Sequence, residues 1–241
     1  VRVDRPFHLV AFVGRFNTGK SSLINLLLDR DLLPVGPVPT TAAITFISHG
    51  LTETLCSQDE AGAATVHADM EGLKRLRETM PSATTVSVFV PAKILDGGIC
   101  FVDSPGLEDP DLERARLTLQ VVPEADVLVM VLDAGVPLSR AEHEFIGELL
   151  SKDRERKLFF VLNKTDSLEP GQLKDLVHGV EASLQTLGIE PRVYPVSATT
   201  GDGLDVFRED RLRFLKGGAA TMERNRYIEA RIDILQRRLA D

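Results

Sequence analysis

Cysteine is scarce in this sequence: Cys56 and Cys100 are the only two in 241 residues. Two cysteines cannot form a disulfide scaffold or a multi-cysteine zinc site, so both classes are excluded and a reducing compartment fits best. The five histidines also lack the spacing of a metal site, which leaves packing or surface roles for them.

Long apolar runs and a basic excess are missing as well. The longest apolar runs, such as Val127 to Leu132, are far shorter than the roughly 20 residues that span a bilayer, so we expect this piece to be soluble. The formal net charge of −8 argues against a surface-wide nucleic-acid binder, which needs a basic face. Because residue 1 is Val and no signal peptide follows, we expect a fragment of a longer protein.

The charge is divided unevenly along the chain. From Arg211 onward eight basic and four acidic residues give +4, so the first 210 residues carry −12. This tail also contains an apolar stripe at helical spacing, formed by Ile228, Ile232, Leu235 and Leu239. Because Gly217-Gly218 predicts a break before it, we expect one domain over residues 1–216 and an amphipathic helix over 217–241.

Strand-like and helix-like segments alternate ahead of that tail. Short apolar runs predict strands at 8–13, 44–48, 85–90, 99–102, 127–132, 158–162 and 193–196. Helices are predicted at 21–28, 69–80, 111–121, 139–151, 171–187 and 204–216. We interpret the polar, turn-rich stretch 51–68 as an inserted hairpin or loop. The alternation predicts a doubly wound α/β domain.

The stretch from Gly14 to Ser21 matches G-x-x-x-x-G-K-[ST] between a predicted strand and a predicted helix. In this motif backbone N–H groups surround phosphate oxygens, the lysine reaches the β- and γ-phosphates and the serine binds Mg²⁺. The candidate phosphate contacts are Gly14, Phe16, Asn17, Thr18, Gly19, Lys20, Ser21 and Ser22, with Ser21 on the metal.

A second motif, Asp103-Ser-Pro-Gly106, follows the predicted strand 99–102. Ligands of open α/β sheets bind beyond the carboxyl ends of the strands. Asp103 would therefore hold Mg²⁺ through water. The Gly106 N–H would contact the γ-phosphate and be released on hydrolysis, which is the behaviour of a switch.

A third motif, Asn163-Lys164-Thr-Asp166, follows the strand 158–162 and favours guanine over adenine. The Asp166 carboxylate would accept hydrogen bonds from guanine N1–H and the 2-amino group, a donor pair that adenine lacks. Asn163 would brace the loop and meet the base edge, and the Lys164 stem would cover the ring. Ser197-Ala198 follows the final strand and fits a fourth element, whose backbone N–H meets the base carbonyl.

A Pro-rich loop carries Thr40 and Thr41, either of which could bind Mg²⁺ and place the attacking water. Leu107 follows Gly106 at the position where Ras-like GTPases carry a water-positioning Gln, so hydrolysis would need that help from elsewhere. Four ordered elements predict a P-loop GTPase with a mostly parallel sheet of the Ras-like or dynamin type, helices on both faces and a C-terminal amphipathic helix.

The pattern resembles the dynamin superfamily, in particular bacterial dynamin-like proteins, over residues 7–216. Three features carry the resemblance. The loop 33–45 is similar to the dynamin switch I, the 89 positions from Gly14 to Asp103 suit an enlarged domain, and the stretch 126–145 is similar to a strand and helix of bacterial members. By register against that family, Thr41 is the better match for the catalytic threonine.

The resemblance implies a cytoplasmic GTPase, peripheral to a membrane, whose domains pair across their nucleotides to stimulate hydrolysis and whose parent protein remodels membranes. It also implies catalytic roles near Lys20 for P-loop residues, here Asn17 and Arg15, although Phe16-Asn17 replaces the Gln-Ser pair of some dynamins. Arg15 is an internal arginine finger or a solvated loop residue. The C-terminal helix belongs to a neck bundle or docks on the GTPase domain.

Two other functions compete with this interpretation. An Era-like or TrmE-like GTPase of ribosome or tRNA maturation shares the P-loop pattern, but its P-G-T-T-R-D switch and a basic RNA-binding module are absent from this sequence. A non-hydrolysing, nucleotide-gated interaction module would also retain Lys20, Ser21 and Asp103. It would differ from an enzyme only in turnover.

Overall fold

A single sheet of nine strands runs through the part of the chain that the structure, a computed structural model, describes. That part comprises residues 8–36, 43–59, 61–67, 69–74, 83–107, 118–119, 121–154, 157–169 and 171–212. The strands are β1 (His8–Val13), β2 (Ile44–His49), β3 (Thr54–Asp59), β4 (Ala64–His67), β5 (Ala83–Val90), β6 (Ile99–Asp103), β7 (Val127–Asp133), β8 (Lys157–Asn163) and β9 (Val193–Pro195). They lie in the order β4-β3-β5-β2-β6-β1-β7-β8-β9.

Helices connect these strands. The α-helices of the described residues are α1 (Lys20–Leu28), α2 (Glu71–Lys74), α3 (Arg140–Lys152), α4 (Gln172–Gln185) and α5 (Leu204–Phe207). A π-helical turn over Arg208–Leu212 follows α5. None of the helices in these ranges is both long enough and apolar enough to cross a bilayer.

The direction of the strands determines where the loops meet. Strands β6, β1, β7, β8 and β9 pair in parallel, so their carboxyl ends lie at one edge of the sheet. Strand β2 runs antiparallel to β6, and β5 runs parallel to β2, so these two strands end at the opposite edge. The mostly parallel sheet expected from the sequence is confirmed, and its parallel block presents the candidate loops together.

The core consists of two apolar layers, one on each face of the sheet. Alternate residues of β1 face opposite layers: Val10 and Phe12 pack with α1 and α5, while Leu9, Ala11 and Val13 pack with α3 and α4. Because both faces of the central strands are covered, their sequences are continuously apolar, as in β7 from Val127 to Leu132.

Most of the predicted elements are confirmed within a few residues, and the stretch 51–68 forms the β3–β4 hairpin. Helix is described at 71–74 within the predicted segment 69–80, and α5 with its π-turn occupies the predicted segment 204–216 as far as residue 212. The helix predicted at 111–121 lies mostly outside the described residues. So does the C-terminal helix 217–241.

Two sets of hydrogen bonds fix helix ends. Helix α3 begins with a capping box, in which the Ser139 hydroxyl accepts from the Glu142 N–H (3.3 Å) and the Glu142 carboxylate accepts from the Ser139 N–H (2.8 Å). At the end of α1, Arg208 Nη2 donates to the carbonyls of Leu26 (3.1 Å) and Leu27 (2.9 Å). The last turn of the described chain is thereby joined to the helix that begins at the P-loop.

Candidate functional site

The P-loop curls between β1 and α1 and depends on close backbone packing. Gly19 begins the helix at φ +89°, and a Cβ built there would lie 2.2 Å from Asn163 Nδ2. Gly14 has equally little space, because a Cβ built there would lie 2.3 Å from the carbonyl oxygen of Val131. Both glycines of the motif are therefore required by the approach of neighbouring strands.

Lys20 lies inside the loop, with 7% of its surface exposed. Its ammonium donates to the carbonyl oxygens of Gly14 (3.2 Å) and Arg15 (2.8 Å). The Thr18 hydroxyl also donates to the Arg15 carbonyl, at 3.1 Å. These contacts hold the positive charge within the loop, where it can meet an anionic ligand.

Ser21 and Asp103 form the next part of the site. The Ser21 hydroxyl donates to Asp103 Oδ2 at 2.6 Å, and Asp103 is 1% exposed at the end of β6. The pairing of β6 with β1 brings them together, because Asp103 aligns with Phe12, two residues before Gly14. Mg²⁺ prefers hard oxygen ligands, so the Ser21 hydroxyl suits a direct ligand and the Asp103 carboxylate suits an acceptor for a metal-bound water.

The Asp103 motif also packs directly on the P-loop. The Leu107 N–H donates to the Gly14 carbonyl at 3.1 Å. A Cβ at Gly106 would lie 2.6 Å from the backbone nitrogen of Phe16, so only glycine fits here without a shift. The Leu107 side chain is half-buried against the apolar core and has no polar atom with which to orient water.

Asn163 joins three segments of the site and is 1% exposed. Its Nδ2 donates to the Thr18 carbonyl of the P-loop, and its Oδ1 accepts from the Ala198 N–H, both at 2.9 Å. The bracing role expected of Asn163 is therefore present in the structure. Its contact with a base edge stays a prediction, as does that of the Ala198 N–H with a base carbonyl.

Asp166 is exposed, and Ser197 is buried beside it. The Ser197 hydroxyl donates to Asp166 Oδ1 at 2.6 Å and accepts from the N–H groups of Thr199 (3.2 Å) and Thr200 (3.0 Å). One buried hydroxyl thus ties the carboxylate to the loop after β9. This explains why Ser197, a weak signal in the sequence, belongs to the same site as Asp166.

Lys164 has a partner that the sequence did not suggest. Its ammonium contacts Asp133 Oδ2 at 2.6 Å, and Asp133 ends the neighbouring strand β7. The only signal in the sequence was a single acid at the end of an apolar run, and the structure shows its register with Asn163.

The structure brings most of the sequence-predicted residues to this edge of the sheet. Ser22 is half-buried in α1, Arg15 and Phe16 are half-buried in the loop, and Asn17 is exposed at φ +62°. Thr40 and Thr41 lie outside the described residues. The described residues contain no cluster of three His, Cys, Asp or Glu side chains that could hold a metal ion by themselves.

The sequence resembles one well-defined family. Residues 10–165 match the model of the Dynamin family. A chloroplastic protein of Arabidopsis thaliana, described as a probable transmembrane FZO-like GTPase, is 36% identical over 201 residues, which cover 82% of this chain and 20% of that protein. Dynamin-like protein A of Bacillus subtilis is 24% identical over 198 residues, or 80% of this chain and 16% of the relative. The chain thus spans a fifth or less of these relatives.

Two solved structures share the fold. A chain of an oligomerised bacterial dynamin pair, described in connection with the sensing and tethering of membranes, has a TM-score of 0.73 at 20% identity and covers 96% of this chain and 49% of its own. Era from Aquifex aeolicus, bound to GDP and aluminium fluoride, has a TM-score of 0.57 at 22% identity over 89% of this chain and 58% of its own. At these identities the likeness is one of fold.

Proposed function

Because the chain belongs to the dynamin family and carries its GTPase domain, we propose that it hydrolyses GTP with Mg²⁺ when two such domains pair across their nucleotides. In the whole protein this reaction is coupled to membrane remodelling. The observation that carries the proposal is the amide of Asn163, which connects the phosphate loop to the loop that follows β9. A phosphate site and a base site are thereby held at a fixed separation.

The phosphate end of the site suits a magnesium nucleotide. Lys20 supplies a buried positive charge, and Ser21 supplies an oxygen ligand for the metal. Asp103, in contact with Ser21, would hold Mg²⁺ through water. Mg²⁺ is commonly held by one or two protein oxygens together with phosphates and water, which fits the absence of a larger acidic cluster from the described residues. When bound, Mg²⁺ would neutralise charge on the β- and γ-phosphate oxygens.

The base end of the site suits guanine. Asp166 is exposed yet oriented by Ser197, so its carboxylate can accept the paired N1–H and 2-amino donors that adenine does not offer. The Lys164 stem lies one residue from Asn163 and supplies an apolar surface for the ring. Guanine selectivity is therefore assigned to Asp166, and the support of the ring to Lys164.

The catalytic residues proposed are Lys20, Arg15, Asn17 and one of the two threonines, Thr40 or Thr41. Hydrolysis forms a bond from water to the γ-phosphorus and breaks the bond to the β–γ bridging oxygen, and Lys20 offsets negative charge on the phosphates. Leu107 cannot orient the water. Asn17 is exposed and Arg15 is half-buried in the P-loop, and we propose that a second domain approaches this loop.

Self-association and membrane action are supported by relatives rather than by this chain alone. The matching bacterial dynamin pair is described as oligomerised and as tethering membranes. Because Leu107 cannot orient the water, there is a chemical reason for pairing: a second domain can fix the P-loop side chains that place the water.

Phosphate release measured at rising protein concentration, with saturating GTP and Mg²⁺, tests the proposal. We expect the activity per molecule to climb with concentration, because the paired form is the active one. Lys20→Ala serves as the control and should lose GTP binding. A constant activity per molecule would contradict pairing, no release at any concentration would contradict hydrolysis, and unchanged GTP affinity of Lys20→Ala would refute the phosphate site.

A further inference from the structure

The proposed nucleotide site depends on a lysine whose position is controlled from a neighbouring strand. Strands β7 and β8 pair in parallel, and their last residues, Asp133 and Asn163, are direct partners in the register. The segments that follow the two strands stay joined one residue further on, where the Ala134 N–H donates to the Asn163 carbonyl at 2.9 Å. Asp133 therefore lies beside the backbone from which Lys164 extends.

The Asp133 carboxylate is held by its own turn. Its Oδ1 accepts from the Gly135 N–H at 2.8 Å, and its backbone carbonyl accepts from the Val136 N–H at 3.1 Å. This Asx-type turn fixes the carboxylate before it meets any partner. The other oxygen, Oδ2, accepts from Lys164 Nζ at 2.6 Å.

The backbone of Lys164 is fixed as firmly as that carboxylate. Lys164 adopts φ +64°, its predecessor Asn163 is bonded to the P-loop, and Asp166 is bonded to Ser197. The remaining freedom lies in the four-carbon side chain, which loses substantial rotamer entropy when ordered. Asp133 removes that freedom by holding the ammonium, with the two side chains 21% and 34% exposed.

We propose that Asp133 is a positioning residue for the nucleotide: by anchoring the Lys164 ammonium, it holds the stem in place to support the base before the base arrives. This inference rests on the proposed function, in which the Lys164 stem covers the guanine ring. It assigns Asp133 an effect on affinity through Lys164. Base choice stays with Asp166, and the stem supports any purine ring.

The test compares release of a fluorescent GDP analogue from the wild-type chain, Asp133→Asn, Lys164→Met and the double variant. Asparagine keeps the acceptor for the Gly135 N–H and loses the charge, and methionine keeps an apolar stem and loses the ammonium. We expect Asp133→Asn to speed release by about threefold to tenfold, the scale of ordering one long side chain. We expect no further change when it is added to Lys164→Met, because both act through one contact.

The control is Glu148→Gln, which breaks an ion pair of the same length, since Lys152 Nζ lies 2.6 Å from Glu148 Oε1 on the exposed face of α3. It should leave release unchanged.

If Asp133→Asn does not fold, as judged by thermal melting, Asp133→Ser replaces it, because the serine hydroxyl can still accept from the Gly135 N–H. The inference would be overturned if Asp133→Asn released the GDP analogue at the wild-type rate. It would also be overturned if Asp133→Asn accelerated release as strongly in the Lys164→Met background as in the wild-type chain. Absence of GDP binding by the wild-type chain would instead contradict the proposed function.

Discussion

At the scale of single residues, one short hydrogen bond orients the group proposed to recognise the base. Ser197 donates to Asp166 Oδ1 at 2.6 Å while Asp166 itself is exposed. The carboxylate is thus fixed on its protein side and accessible on the other. Recognition by such a group is strongly selective, because a base that lacks the two donors leaves the carboxylate without its hydrogen bonds.

Asp166→Ala should weaken GTP binding by about a hundredfold or more, because two hydrogen bonds to a charged acceptor are lost. ATP binding, weak from the start, should not change. Calorimetric titration of both nucleotides checks this expectation. An equal loss for GTP and ATP would show that Asp166 supports the loop without reading the base.

Cys100 carries a thiol with a shifted pKa. Burial raises the pKa of its thiol from 9.0 to about 12, with smaller opposing effects from the Ser48 hydroxyl and the Ile47 backbone. Cys100 is fully buried in the core on one face of the sheet.

This raised pKa makes stability depend on alkaline pH. Below pH 9 the thiol is protonated in both states and its contribution is fully present. Between about pH 9 and 12 the unfolded chain ionises and the native one does not, so the unfolding free energy falls as pH rises. Urea unfolding at stepped pH should show a steeper decline for the wild type than for Cys100→Ala, by up to about 1.4 kcal/mol per pH unit. Parallel declines would contradict the shift.

The motif residues could be predicted from sequence because each motif is contiguous and follows a strand. Contacts between distant segments could not be predicted in this way. Asp133 lies 31 positions from Lys164, and Arg208 lies 181 from Leu27. Such pairs depend on strand register and on where a helix ends, and neither quantity can be read from residue types.

At the scale of elements, the hydrophobic periodicity predicted whether a segment is a helix or a strand, but it did not predict the direction of each strand in the sheet. The run Ile44 to Ser48 is apolar whichever way it runs, because both faces of β2 are covered, so its antiparallel pairing with β6 left no mark in the sequence. The start of α3 did leave one, since Ser139 and Glu142 have the spacing of a capping box.

Ser139→Ala should lower the unfolding free energy by about 1 kcal/mol, the usual cost of losing a helix cap. The matched control is Ser151→Ala near the other end of α3, where the exposed hydroxyl donates to the Glu148 carbonyl. Urea denaturation of both variants checks the difference, and nucleotide affinity should be unchanged in each. Equal stability of the two variants would argue against the cap.

At the scale of the whole molecule, the described chain runs to Leu212, and Arg208 is bonded there to the end of α1. The division into an acidic domain over residues 1–216 and a basic helix over residues 217–241 stays a prediction from the sequence.

If residues 217–241 belong to a neck, a chain of residues 1–216 should melt at the same temperature as the full chain. It should also bind GTP within about twofold of the full chain, because the last predicted nucleotide contact is Ala198. Calorimetry of the two forms checks this. A clear drop in melting temperature would favour the alternative, in which residues 217–241 dock on the GTPase domain.

The β3–β4 hairpin has a practical consequence for engineering. Strand β4 lies five places from β1 in the sheet, about 24 Å at the usual strand spacing. Its turn, between Asp59 and Ala64, can therefore accept a fluorophore or an epitope peptide without displacing the P-loop. A labelled chain could then report encounters between molecules during turnover while its own chemistry proceeds unperturbed.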